Sequence, residues 1–225
     1  MQVEIRHSPS FAAARVTLAA GESVKVEAGA MMMHSQGVGL HAAAEGGLMR
    51  SLARGVLGGE SLFISTFTAP PQGGWVDVAP ALPGDVVVVH LQREAPLNIT
   101  KGSWLCSAPS VDLDTKFAGL RSMVGGEGAF LVRATGSGDL VLSCYGALDV
   151  TTLAAGEQIT VDTGHVVAFE HTVTQTVRTA GGPGRMLASM KSGEGLVFDF
   201  TGPGDVLTQS RNPGPIAGGG IGTRQ

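Results

Sequence analysis

The chain has 225 residues, 43% of them hydrophobic and only 15% charged, with 15 Lys+Arg against 19 Asp+Glu for a net charge of −4. That apolar content excludes a disordered chain, and the mild acidity argues against nucleic acid as a partner. No stretch approaches the ~18 apolar residues of a membrane-spanning helix, and the start MQVEIRHSPSF lacks the cationic-then-apolar pattern of a secretory signal, so a soluble, cytoplasmic protein is expected.

Glycine, 34 of 225 residues, is spread along the whole chain. Evenly spaced glycine between short apolar runs predicts many turns between many short strands. In chain order the predicted strands are SVKVEA (23–28), SLFISTF (61–67), VVVVHL (86–91), AFLVRA (129–134), LVLSCY (140–145), QITVDT (158–163) and LVFDFT (196–201). All are rich in β-branched or aromatic residues. The one helix expected lies at 48–57, where Leu48, Met49, Leu52, Val56 and Leu57 share a side at helical spacing while Arg50 and Arg54 stand i,i+4 on another. The Pro/Gly-rich end, 211–225, reads as a flexible tail.

The chain repeats itself. LAAGESVKV (18–26) returns 135 residues later as LAAGEQITV (153–161), and LPGDVVVVH, from Leu82, reads as a degenerate middle copy. Gly21, Gly84 and Gly156 are expected to supply the positive φ of the turn that launches each strand. Downstream, GGESLFIS, GGEGAFLV and SGEGLVFD place Glu60, Glu127 and Glu194 at intervals of 67 residues. A fixed period of this length signals internal duplication. The predicted organisation is therefore one compact region, 1–210, of three β repeats at about 1–80, 81–150 and 151–210. The architecture expected is all-β, with tandem β-sandwich or shortened double-stranded β-helix units joined by short helical connections.

Chemistry is harder to find. Cys106 and Cys144 form no CxxC pair and read as reduced, buried thiols. There is no His-x-His, no G-x-S-x-G elbow and no phosphate-binding loop. His34 and His41 are seven residues apart in a Gly-rich segment. His165 and His171, with Glu170 beside them, would share a strand face but lie about 20 Å apart at ~3.3 Å per residue, too far for one metal. A small-ligand pocket between repeats using His165, Glu170 and His171 is the weaker alternative to structural histidines. Glu60, Glu127 and Glu194 either cluster around a cation or each accept hydrogen bonds within their own turn; the local role explains the repetition by itself. Asp112 and Asp114 alternate on one strand face beside Lys116, as a solvated charge pair would. No catalytic residue, metal site or cofactor is expected. Aromatics are 5% of the chain, and few stand beside basic residues, against single-stranded nucleic acid as well.

The segments GGESLFISTFTA, LPGD, VDLDTKF, GGEGAFLVRATGSG, LAAGEQITVDTGHVVAFE and GEGLVFDFTGPGDV occur in this order over roughly 15–210. In this the chain resembles the altered-inheritance-of-mitochondria 24 family. The resemblance implies a fold related to the tryptophan RNA-binding attenuation protein, tandem duplication, frequent oligomerisation and no known enzymatic activity. The expected function is a non-enzymatic, self-associating scaffold. The alternatives are a peripheral protein organising an anionic membrane surface, or a binder of a small ligand or metal. The helix at 48–57 is expected to pack against the protein's own sheets, with a subunit contact or an anionic membrane as the alternatives. A membrane role through it and its counterparts near Leu120 and Met186 predicts co-flotation with anionic vesicles, weakened by salt and by Arg50→Glu/Arg54→Glu; no flotation at low salt removes it.

Overall fold

The computed structural model describes residues 1–44, 63–100, 102–114, 131–181 and 195–214. The architecture is all-β, and among the described residues the antiparallel strands form four sheets. After β1 (Gln2–Arg6), the strands fall into three sets of six. The first is β2 (Ala13–Leu18), β3 (Ser23–Glu27), β4 (Met31–His34), β5 (Gly39–Ala44), β6 (Phe63–Thr68) and β7 (Gly74–Val78). The second is β8 (Val86–Leu91), β9 (Leu97–Thr100), β10 (Trp104–Ser107), β11 (Val111–Asp114), β12 (Leu131–Gly136) and β13 (Gly138–Ser143). The third is β14 (Leu148–Leu153), β15 (Gln158–Asp162), β16 (Val166–Glu170), β17 (Thr174–Thr179), β18 (Leu196–Thr201) and β19 (Gly204–Gln209).

Strand order is the same in each set: the first, sixth and third strands pair in that order, and so do the fourth, fifth and second. The sets are then sewn together. β3 pairs with β10, giving the sheet β5-β6-β3-β10-β13-β8, and β9 pairs with β16, giving β11-β12-β9-β16-β19-β14. At the ends stand two smaller sheets, β1-β2-β7-β4 and β15-β18-β17.

Burial follows from this sewing. Three apolar clusters lie between successive sheets. The two six-stranded sheets are buried on both faces. In β13, Val141 faces the first cluster while Leu140 and Leu142 face the second; in β19, Leu207 faces the second and Val206 the third. Side chains alternate across a strand, so a strand covered on both sides must be apolar at successive positions. That is why residues 140–142 (LVL) and 166–169 (VVAF) are unbroken apolar runs.

The two LAAGE turns have one construction. Gly21 and Gly156 adopt φ of 70° and 80°. Glu22 Oε2 accepts the Ala19 N–H at 2.9 Å, and Glu157 Oε2 accepts the Ala154 N–H at 2.8 Å. The acid of the motif thus closes its own turn. LPGD, however, is not the third copy. LAAGE precedes the second strand of its set, whereas Leu82 and Gly84 precede β8, a first strand. The middle set enters its second strand through Leu91-Gln92-Arg93-Glu94-Ala95, closed by the Gln92–Ala95 bridge and lacking any glycine. Nor does Gly84 supply a positive φ. It bridges Gly146 in parallel, and a Cβ there would lie 2.0 Å from the Cys144 carbonyl oxygen.

Several sequence expectations lie outside the described residues: the helix of Leu48, Met49, Arg50, Leu52, Arg54, Val56 and Leu57, the turn acids Glu60, Glu127 and Glu194, Lys116 and the tail beyond 214. The first residues of that tail are bonded to the body. Arg211 N–H donates to Tyr145 O at 3.2 Å, and the Asn212 amide donates to Asp162 Oδ1 at 3.3 Å.

Gly84→Ala forces a methyl group into backbone atoms, at a cost of ~3 kcal/mol or more. Gly156→Ala meets only the positive-φ penalty, about 1–2 kcal/mol, because nothing lies within 4 Å of its added Cβ. Urea unfolding of the two variants should rank them in that order.

Candidate functional site

The side chains that sequence alone marks as a ligand pocket do not converge. His165 closes a 3-10 turn (Thr163–His165) instead of entering the strand, and its Nδ1 sits 2.7 Å from Gln209 O. Glu170, at the far end of β16, turns to β19, where its Oε2 accepts the Asp205 N–H at 3.1 Å. His171 follows β16 as an exposed turn residue whose N–H donates to Pro96 O at 3.2 Å. The parity argument for His165 and His171 fails because neither lies in β16. Among the described residues, no group of three or more His, Cys, Asp or Glu is placed to hold a metal ion.

The other marked residues also have local partners. His34 Nδ1 lies 2.9 Å from Ser35 O, with its ring 6.0 Å from that of Phe67. Asp112 stands on the exposed face of β11, 3.8 Å from Lys25 Nζ, which also donates to Val111 O at 3.0 Å. Cys106 and Cys144 are free and buried. Burial pushes both thiols up, so neither is a reactive thiolate at neutral pH.

Among the described residues a buried ionic cluster surrounds Asp77, which sequence reading missed. Strand β7 carries this carboxylate fully buried. Arg15 donates from Nε to Oδ1 at 2.8 Å and from its terminal nitrogen to Oδ2 at 2.9 Å, a two-point clamp; Arg6 adds a bond to Oδ2 at 2.6 Å. The Arg15 guanidinium also lies 4.0 Å over the Trp75 ring. Burial alone would raise the Asp77 pKa, but the hydrogen bonds from Arg15 and Arg6, with their charges, hold it below the ordinary carboxylate range. Since β1, β2 and β7 are successive neighbours, this cluster rivets three strands of one sheet. Asp199 is used similarly on β18, taking Arg178 at 2.5 Å and Thr160 at 2.6 Å. Beside the first cluster, an open depression of about 530 Å³ is lined by Ala20, Ser35, Gln36, Gln72 and Trp75 among others. Ser35 Oγ is engaged there by the Trp75 N–H at 3.0 Å.

A second feature missed from sequence is strand β4. It exposes Met31, Met32 and Met33 at 38%, 59% and 39% of their full accessibility. Three methionines in a row carry no alternation and modest strand propensity, so AGAMMMHSQG gives little local signal. They stand on the outer strand of a sheet whose other three strands are riveted through Asp77.

Comparison with known proteins matches residues 3–211 to the family described as Mitochondrial biogenesis AIM24. An uncharacterized protein of Streptococcus pyogenes serotype M6 is 28% identical over 226 residues, covering 97% of this chain and 89% of that protein. A Streptococcus pyogenes protein solved by X-ray crystallography as a structural-genomics target superposes with a TM-score of 0.78 at 27% identity, with 96% of each chain covered.

Asp77→Asn removes the charge that both arginines face, and the expected loss is about 2–4 kcal/mol near neutral pH. With a depressed folded-state pKa, the stabilisation from Asp77 is complete above the unfolded value near ~4 and is lost as pH falls through the folded value. Urea midpoints should therefore fall less between pH 7 and pH 3 in the variant than in the wild type.

Proposed function

Since the chain belongs to the Mitochondrial biogenesis AIM24 family, we propose that it acts as a β-rich scaffold that associates with copies of itself and carries no catalytic activity of its own. On this reading the three sets of six strands are tandem copies of one unit, and the unit's recurring surfaces are what the protein offers to its surroundings. The observation that carries the proposal is the exposed methionine strand β4. Large apolar side chains grouped on the outer strand of a sheet are a contact surface, and methionine adapts to whatever packs on it. Support also comes from how the polar groups are used. Asp77, Asp199, Glu22, Glu157, Glu170 and His165 each meet a partner within their own sheet, turn or neighbouring strand, as holding a framework requires.

Native mass spectrometry of untagged protein purified without chelator tests this reading. The expected result is a multiple of 22.9 kDa with no added mass. A stoichiometric adduct on the single chain would point to a metal or small-ligand binder instead. A turnover activity abolished by one substitution would overturn the scaffold.

A further inference from the structure

Two strands at the ends of this protein have counterparts that are paired in its middle. The third strands of the three sets are β4, β10 and β16, and they align residue by residue through a shared irregularity. Each pairs with the sixth strand of its set with a bulge at the same place, between Met31 and Met33, Trp104 and Cys106, and Val166 and Ala168. Met32 and Met33 therefore correspond to Leu105 and Cys106, and to Val167 and Ala168. Leu105 and Cys106 lie fully buried in the first cluster, the core of the set before their own; Val167 and Ala168 lie fully buried in the second, again one set earlier. Among the described residues no set precedes that of Met32 and Met33, and they stand exposed.

The second strands tell the same story from the other end. β3, β9 and β15 align through their pairing with the fifth strand, where Val24 faces Phe67, Leu97 faces Ala134 and Ile159 faces Phe200. Val24, Val26, Leu97 and Ile99 are buried in clusters that the following set's third strand helps to close. Ile159 and Val161 hold the same positions and are only partly buried against the third cluster. Among the described residues nothing pairs with the outer edge of β4 or of β15. The outer edges of β5, β11 and β17 are different, because fourth strands are terminal in every set.

From this juxtaposition we infer that β15 of one chain pairs antiparallel with β4 of a second copy, continuing between molecules the seam that joins the sets within one. The inference rests on the scaffold reading and says which surfaces do the joining. The register follows from the inner seams. Cys106 faces Val26 and Ser107 faces Lys25; Ala168 faces Ile99 and Phe169 faces Asn98. The corresponding pairs are Met33 with Val161 and His34 with Thr160. Met32 and Met33 then close the third cluster over Ile159 and Val161, as Leu105 and Cys106 close the first. A one-residue slip would turn the methionines away from that core, so burial selects the register. Neither edge carries the Lys or Pro that commonly blocks edge pairing. The bulge in β4 does not block it either, since β10 and β16 carry the same bulge and are paired on both sides. The contact is head-to-tail, so it closes into a ring or continues as a filament according to the rotation per copy.

The test uses the full chain. Light scattering after size exclusion reads the mass of the wild type, of Met32→Lys/Met33→Lys, and of Leu40→Lys, which adds charge on β5, an edge in its own right. Both Lys variants change exposed side chains, and far-UV circular dichroism verifies their folds. In parallel, Met33→Cys and Val161→Cys proteins, differently tagged, are treated singly and mixed with an oxidant or a short bismaleimide. Directly opposed residues of an antiparallel pair are close enough to be joined. The expected result is a multiple of 22.9 kDa, or a rising series of multiples, for the wild type and Leu40→Lys, and 22.9 kDa for the double Lys variant. Cross-linked dimers should appear only in the mixture. If the double Lys variant keeps the wild-type mass, or if Met33→Cys links to itself, the edge pairing is overturned while self-association stands. A wild-type mass of 22.9 kDa at every concentration overturns both.

Discussion

Two short antiparallel seams, β3 against β10 and β9 against β16, hold the rest of the architecture in place. Each involves only a few residues on either side. Their effect is large because they turn pairs of three-stranded sheets into six-stranded ones that are covered on both faces. Each seam sets which side chains of β10 and β16 enter the preceding core, and so fixes the register of whole sheets. Backbone pairing across the seam and burial of Leu105, Cys106, Val167 and Ala168 are mutually dependent. Unpairing the strand would expose those residues, and removing them would leave the strand no reason to stay.

The charged groups serve the same framework at its margins. Among the described residues no set precedes β4, and the other strands of its sheet, β1, β2 and β7, are bound by the buried Asp77 carboxylate between Arg15 and Arg6. The last sheet, which likewise has one neighbour, carries the Asp199 pairing with Arg178 and Thr160 across β15, β18 and β17. These polar clusters lie in the two sheets that have the least apolar cover. A carboxylate held by two-point arginine contacts orients strands where burial alone gives less guidance. The two clusters differ in strength, because Asp77 is buried and Asp199 is partly open to solvent, where water screens the charges.

The same local chemistry served different ends in the repeated motifs. LAAGE was legible as a turn, and its acid does close the turn in both copies. LPGD resembles it in composition and yet precedes a first strand, where Gly84 is required by the close approach of Cys144 and Gly146 rather than by a left-handed backbone. The true middle turn, Leu91 to Ala95, has no glycine and left no trace in the pattern. The histidine and glutamate of the third set looked like site residues because they cluster in sequence around VVAFE. The 3-10 turn before β16 and the bend after it send His165 and Glu170 to opposite ends of β19. Asp77 escaped notice for the converse reason: its arginine partners are 62 and 71 residues away along the chain.

Strand content, the turn chemistry of Gly21 and Gly156, and the thiol character of Cys106 and Cys144 were all readable from sequence. Each depends on side chains within a few residues of one another or on plain apolar burial. The family could be recognised for a similar reason, since its motifs recur in fixed order along the chain. Tertiary structure alone decided which strands of different sets pair, which faces of β13 and β19 meet which core, and that Met32 and Met33 stand outside where their counterparts are enclosed. An edge strand and an interior strand can have the same local sequence requirements. Whether a neighbour is present depends on the long-range order of pairing, and no short window of residues contains that order.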